Sequence, residues 1–158
     1  MLSTAWLLHN IGMNTSSHLS ASSDDLIQQS PAHRAVLNRL QALLPAESVI
    51  TDAAGLRPYE TDGLTAIREL PWVVVLPETE AQVADIVRCC AEHSVPIIPR
   101  GAGTGLSGGA RPHQEGVVLG LSKMSAILDI DPQNRIAKVQ PGVRNLAITQ
   151  AAQAYGLY

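Results

Sequence analysis

The sequence predicts an α+β fold in which a small parallel strand–helix–strand unit precedes an antiparallel part. Three observations carry that reading. Trp72 to Leu76 (WVVVL) and Val95 to Pro99 are short apolar runs on either side of a helix-period segment, as strands of a covered parallel sheet should be. A glycine-rich run follows the second strand directly. Beyond it GVVLGL, AILDID and RIAKVQP are three strand-like runs with very little chain between them, for which an antiparallel meander is the simplest arrangement.

Before the first of these strands, Ser30-Pro31 marks an N-cap and first helical position, and Val36, Leu37, Leu40, Leu43 and Leu44 recur at helical spacing up to Pro45. Ser48 to Thr51 reads as a short strand and Leu56 to Ile67 as an irregular connection. Thr79 with Gln82 three residues on is a capping-box signature, and it opens a helix with Val83, Ile86, Val87 and Cys90 on one stripe and an end near His93-Ser94. A right-handed parallel crossover from Trp72 to Pro99 is the default connection. Asp131-Pro132-Gln133-Asn134 suits a type I turn between hairpin strands. After Pro141-Gly142 a final helix carries Leu146, Thr149 and Ala152 and stops at Gly156.

Composition narrows the function. The chain of 158 residues is 46% hydrophobic and 16% charged, which is one soluble globular domain. A net charge of −3 with 3% aromatic residues leaves neither the basic footprint nor the stacking surface that nucleic acid requires. Adjacent Cys89 and Cys90 on a helix point about 100° apart and build no disulfide framework, and the five scattered histidines form no zinc spacing. No metal site is expected, and a reducing cytoplasm is the natural setting. Residues 1–29 read as a disordered or extraneous extension: TAWLLHNIGM is too short for a membrane span and lacks the basic lead of a signal peptide, and Met13 is an alternative start. The fold is expected over residues 30–158.

The informative stretch is PRGAGTGLSGGARP, Pro99 to Pro112, which holds five of the twelve glycines between Gly101 and Gly109. Glycine is conformationally costly, so such a run implies a backbone that turns sharply or approaches something closely. Gly103-Thr104-Gly105-Leu106-Ser107-Gly108 matches the GxGxxG pattern of NAD-binding Rossmann enzymes, yet that mechanism needs a helix opening at the third glycine. Here Gly109, Pro112 and Gly116 occupy the chain that would have to be helical. A Walker A loop fails because no Gly-Lys-Ser/Thr follows. What is left is a nest of backbone N–H groups converging on an anion, with Arg100 and the hydroxyls of Thr104 and Ser107 nearby. The bland alternative, a long turn with no ligand, suits so long a loop less well.

The same run, with YETDGL and LPETEAQVADIV upstream and LDIDPQNRIAKVQPGVRNLA downstream, resembles the PCMH-type FAD-binding domain of vanillyl-alcohol-oxidase-like flavoproteins. Within it the likeness is to the FAD-linked subunit of glycolate oxidase (glycolate dehydrogenase) and its relatives that oxidise D-lactate and D-2-hydroxyglutarate. It runs from about Arg57 to the end of the sequence. The resemblance implies two small subdomains, parallel and antiparallel, with FAD between them, and a domain truncated at its C-terminal end because family members continue with further FAD contacts and a substrate domain. It implies that Arg100, Gly101, Ala102, Gly103, Thr104, Gly105, Leu106 and Ser107 wrap the FAD pyrophosphate, and that Pro77, Pro141 and Gly142 border the cofactor. Pro77 as a strand stop and Pro141-Gly142 as a turn are the plain alternatives.

Covalent members carry a histidine in this loop, whereas Ser107-Gly108-Gly109-Ala110 stands here, so noncovalent FAD is implied. The implied chemistry is hydride transfer from a 2-hydroxy acid to FAD, giving a 2-oxo acid, with partner subunits including an iron–sulfur protein and a place in the cytoplasm or at the inner face of the membrane. Catalytic residues are not identified. Arg57, Tyr59, Asp62 and Arg68 are weak lining candidates that read better as a solvated loop. A non-catalytic remnant, or one half of a split flavoprotein, is the competing reading; an NAD-binding enzyme is the third.

Overall fold

The computed structural model describes residues 30–158, so the expectations for residues 1–29 lie outside the described residues. Element order is α1 (Pro31–Leu43), β1 (Val49–Ile50), α2 (Ala53–Leu56), β2 (Val73–Val75), α3 (Glu80–Glu92), β3 (Ile97–Arg100), β4 (Val117–Gly120), β5 (Ile127–Asp131), β6 (Ile136–Val139) and α4 (Asn145–Ala152). Single 3-10 turns follow α1, α2 and α4.

Four strands form one sheet in the order β1-β2-β4-β3. β4 lies between β2 and β3 and is parallel to both, while β1 pairs antiparallel with β2. The meander expected after the glycine run is thus corrected at its first member. GVVLGL supplies the central parallel strand, and only β5 and β6 pair antiparallel, as a separate hairpin. The reason is visible in the sequence of β4: Val117, Val118 and Leu119 are apolar on both faces, and both faces are buried. A strand of that kind belongs inside a covered parallel sheet.

Alternation along the strands sorts the core into two layers. Val73, Val75, Val117 and Leu119 face α1 and α3, where they meet Val36, Leu40, Ile86, Cys89 and Cys90. Val74 and Val118 face the other way, against Leu56, with Tyr59, Leu76 and Ile98 at the margin. Both long helices therefore cover the same face. The opposite face is covered by α2 and its following turn, from which an irregular strap, Glu60 to Leu70, runs on to Arg100 and the glycine loop.

Local signals held where their chemistry is short-range. Thr79 Oγ1 accepts from Gln82 N at 3.2 Å, and Gln82 Oε1 accepts from the N–H groups of Glu78 and Thr79, which completes the capping box. Ser30 occupies its N-cap position without a side-chain bond. On α3 the buried stripe runs through Ile86, Cys89 and Cys90, and Val87 is exposed instead. The β5–β6 turn is held by Asp131 Oδ1, which accepts from the N–H groups of Gln133 and Asn134, both at 3.0 Å. Gly156 closes α4 and its 3-10 extension at φ 70°.

Burial pushes the Cys90 thiol up to about 12, with its neighbour Cys89 adding to the shift. Cys89 is also raised, first by burial and then by Glu92, against an opposing pull from Arg39. A raised acid favours the protonated form in the folded chain. This contribution to stability is complete below the ordinary thiol range and is lost as pH rises through the folded values. Both thiols should therefore resist iodoacetamide at about pH 8 in the native chain and react in denaturant, because only the thiolate attacks. Mass spectrometry of the alkylated protein checks this.

Candidate functional site

The three parallel strands end together. Val75 pairs with Leu119, Leu119 with Pro99, and Gly120 with Arg100. Pro77 after β2, the glycine loop after β3 and Leu121 after β4 therefore share the carboxyl edge of the sheet, where open α/β sheets take their ligands. The loop also has a topological task. It carries the chain from β3 to a neighbouring parallel strand, a connection that normally requires a helix and here is made by residues 101–116 without one.

Much of this loop is unspent. Among the described residues, no backbone N–H from Ala102 to Gly109 donates to a protein acceptor. A Cβ at Gly101, Gly105, Gly108 or Gly109 would meet nothing within 4 Å. Gly103 and Gly108 sit at φ 70° and 76°, where residues with side chains are strained. Leu106 is 73% exposed, and Thr104 and Ser107 are exposed beside it. Unpaired N–H groups on a bare, outward backbone with two adjacent hydroxyls are the donor set an anion needs, so these residues fit a pyrophosphate.

Arg100 is placed differently from its loop neighbours. The residue is 9% exposed, and its side chain turns beneath the loop. One guanidinium nitrogen donates to Thr61 O at 2.7 Å and more weakly to Ala110 O at 3.4 Å. The guanidinium carbon lies 5.5 Å from the Tyr59 ring centre. A Cβ at Gly103 would land on this guanidinium. The positive charge thus stands under the loop and joins its two ends to the strap.

Pro77 is fully buried behind the end of β2. Gly142 donates to Met124 O at 2.8 Å, and a Cβ there would meet the backbone oxygens of Leu121 and Met124. Pro141 is exposed beside it. This pair locks the hairpin exit onto the chain that leaves β4.

The strap was legible only as a solvated loop, yet it is built. Asp62 is 5% exposed, and its Oδ1 accepts from Leu64 N at 2.9 Å. Glu60 takes both Arg57 and Arg68, at 3.3 and 2.6 Å. Glu69 accepts from Arg111 at 3.1 Å and from Gln114 N at 3.2 Å, which ties the strap to the far end of the loop. Gly63 presses directly on the loop backbone at Thr104 and Gly105. Nothing periodic announces these contacts. The one available signal was the Asp62-Gly63 pair, a turn dipeptide in a segment otherwise hard to place.

Among the described residues, no three His, Cys, Asp or Glu side chains gather as a metal site, and no helix is long and apolar enough to cross a membrane.

Comparison with known proteins agrees with this geometry. The chain is 48% identical over 123 residues to the glycolate oxidase subunit GlcD of Escherichia coli strain K12, covering 78% of this chain and 25% of that protein. It is 42% identical over 99 residues to a D-lactate dehydrogenase of Archaeoglobus fulgidus, covering 62% of this chain and 22% of that one. The crystal structure of p-cresol methylhydroxylase with substrate bound superposes with a TM-score of 0.69 at 31% identity, over 80% of this chain and 25% of that one. The chain therefore spans about a quarter of the length of the relatives it matches. A family profile described as an FAD binding domain matches residues 71–158. More than half of the sequence falls within that match, and the chain accordingly belongs to the FAD binding domain family, with FAD as its cofactor.

Proposed function

We propose that residues 30–158 form the FAD-holding domain of a 2-hydroxy-acid oxidoreductase of the glycolate or D-lactate type. The observation that carries this reading is the run of unspent N–H groups from Ala102 to Gly109 at the carboxyl edge of the parallel sheet, together with the likeness to glycolate oxidase subunit GlcD. In this reading the backbone of Gly101 to Ser107 cradles the pyrophosphate, and Thr104 and Ser107 add hydroxyl donors. Pro77 after β2 and the Pro141-Gly142 turn after β6 of the separate hairpin border the cofactor. Arg100 contributes from beneath, through the loop's shape and a nearby positive charge. Binding is noncovalent in this reading, since no histidine stands between Gly101 and Ala110.

Bound FAD supplies the hydride acceptor that converts a 2-hydroxy acid to a 2-oxo acid. The protein's share is to fix the flavin by its phosphates and to keep the loop amides oriented. Partner subunits, including an iron–sulfur protein, and a peripheral place at the inner membrane face belong to the same proposal.

Flavin fluorescence titration of the full chain tests the cofactor assignment. Saturable binding of FAD with no binding of NAD is expected, and the reverse preference would sink it. A fusion to the C-terminal part of the Escherichia coli relative should turn yellow and reduce a dye with glycolate or D-lactate. A yellow fusion that is inert to every 2-hydroxy acid would remove the substrate assignment and leave the FAD domain standing.

A further inference from the structure

We propose that Gly63 is a positioning residue for FAD: its missing side chain lets the loop backbone settle on the strap in the one orientation that presents the loop's N–H groups outward. The inference rests on the reading that this loop holds the pyrophosphate.

The strap fixes its own shape first. Asp62 Oδ1 accepts from Leu64 N at 2.9 Å, and Thr61 Oγ1 donates to Leu64 O at 3.3 Å, so residues 61 to 64 form a turn closed by their own side chains. Gly63 is the bare point of that turn. A Cβ there would stand 2.7 Å from Thr104 O and 2.8 Å from Gly105 O, with Thr104 C at 2.9 Å. These are backbone atoms, which no rotamer change can move aside. A side chain at 63 must therefore push the loop off the strap.

The peptide geometry converts this contact into donor direction. The described peptides are trans, so each C=O and the N–H of the following residue lie in one plane and point in opposite directions. With the Gly105 oxygen against the strap, the N–H of Leu106 is turned to the open side. Among the described residues that N–H meets no protein acceptor, and a Cβ on the adjoining Gly105 would touch nothing within 4 Å. Arg100 holds the same junction from below through Thr61 O. Gly63 and Arg100 thus act as the stop and the clasp of one mould, and neither needs to touch the phosphates.

The test compares FAD affinity with the melting temperature of the flavin-free chain. Gly63→Ala in the full chain is expected to weaken FAD about tenfold or more, the scale of one or two charge-assisted hydrogen bonds, with little change in melting temperature. A purely structural role would lower both together, so a loss that only parallels a fall in melting temperature overturns the proposal. Unchanged affinity also overturns it. Should Gly63→Ala fail to fold, Arg100→Lys keeps Gly63 and the charge but gives up the forked clasp, and about a threefold weakening is expected; unchanged affinity in that variant counts against the mould. A wild-type chain that does not take FAD removes the phosphate-loop reading and this inference together, whereas equal binding by wild type and Gly63→Ala removes the inference alone.

Discussion

Arg100→Ala is expected to destabilise the folded chain by about 3 kcal/mol, the scale of losing a buried charged donor and leaving its acceptors unpaired. Arg100 is 9% exposed, and its removal takes away the donor to Thr61 O and Ala110 O. The ring of Tyr59 loses its cationic neighbour in the same step. FAD affinity should fall by about tenfold or more, because the loop amides keep their identity but lose their common direction. Urea unfolding of the flavin-free chain measures the first effect and fluorescence titration the second. An alanine variant of wild-type stability would mean that the clasp carries nothing. Normal FAD affinity in a destabilised variant would mean that the loop holds its shape without it.

The parts of this fold that were legible in the sequence are those whose signals are local. Thr79 and Gln82 sit three residues apart and make their bonds to each other, so the capping box could be read before any tertiary contact was known. Asp131 and Asn134 are similarly self-contained. The place of β4 was not legible, because Val117 to Leu119 declare only that they are buried on both faces, and burial does not say between which neighbours. Parallel pairing with β2 and β3 is decided by distant chain.

The site divided in the same way. Five glycines in nine positions marked the loop at once. The mould beneath it was hidden, because Gly63 meets Thr104 and Arg100 meets Thr61 across some forty residues, with no spacing rule to connect them. A segment of charged residues looks solvated in sequence. Only the fold shows that Asp62 is buried and that Glu60 and Glu69 spend their charge on Arg57, Arg68 and Arg111.

Ile86→Ala should separate the two faces of the sheet. Ile86 is fully buried between α3 and the face formed by Val73, Val75, Val117 and Leu119. Truncating it removes three methyl or methylene groups from a packed interior, and the expected loss is about 3 kcal/mol. The stop and clasp lie on the other face: Arg100 follows Ile98 by two residues along β3 and so points with it toward Tyr59 and the strap. FAD should therefore bind the folded variant as it binds wild type. A ligand that binds only the folded chain adds RT ln(1 + [L]/Kd) to stability, so saturating FAD should raise the unfolding free energy of Ile86→Ala by the wild-type increment and that of Arg100→Ala by much less. Equal increments in all three proteins would place the phosphate loop outside the influence of Arg100. A diminished increment in Ile86→Ala would mean that the helical face shapes the loop as well, through β3 itself.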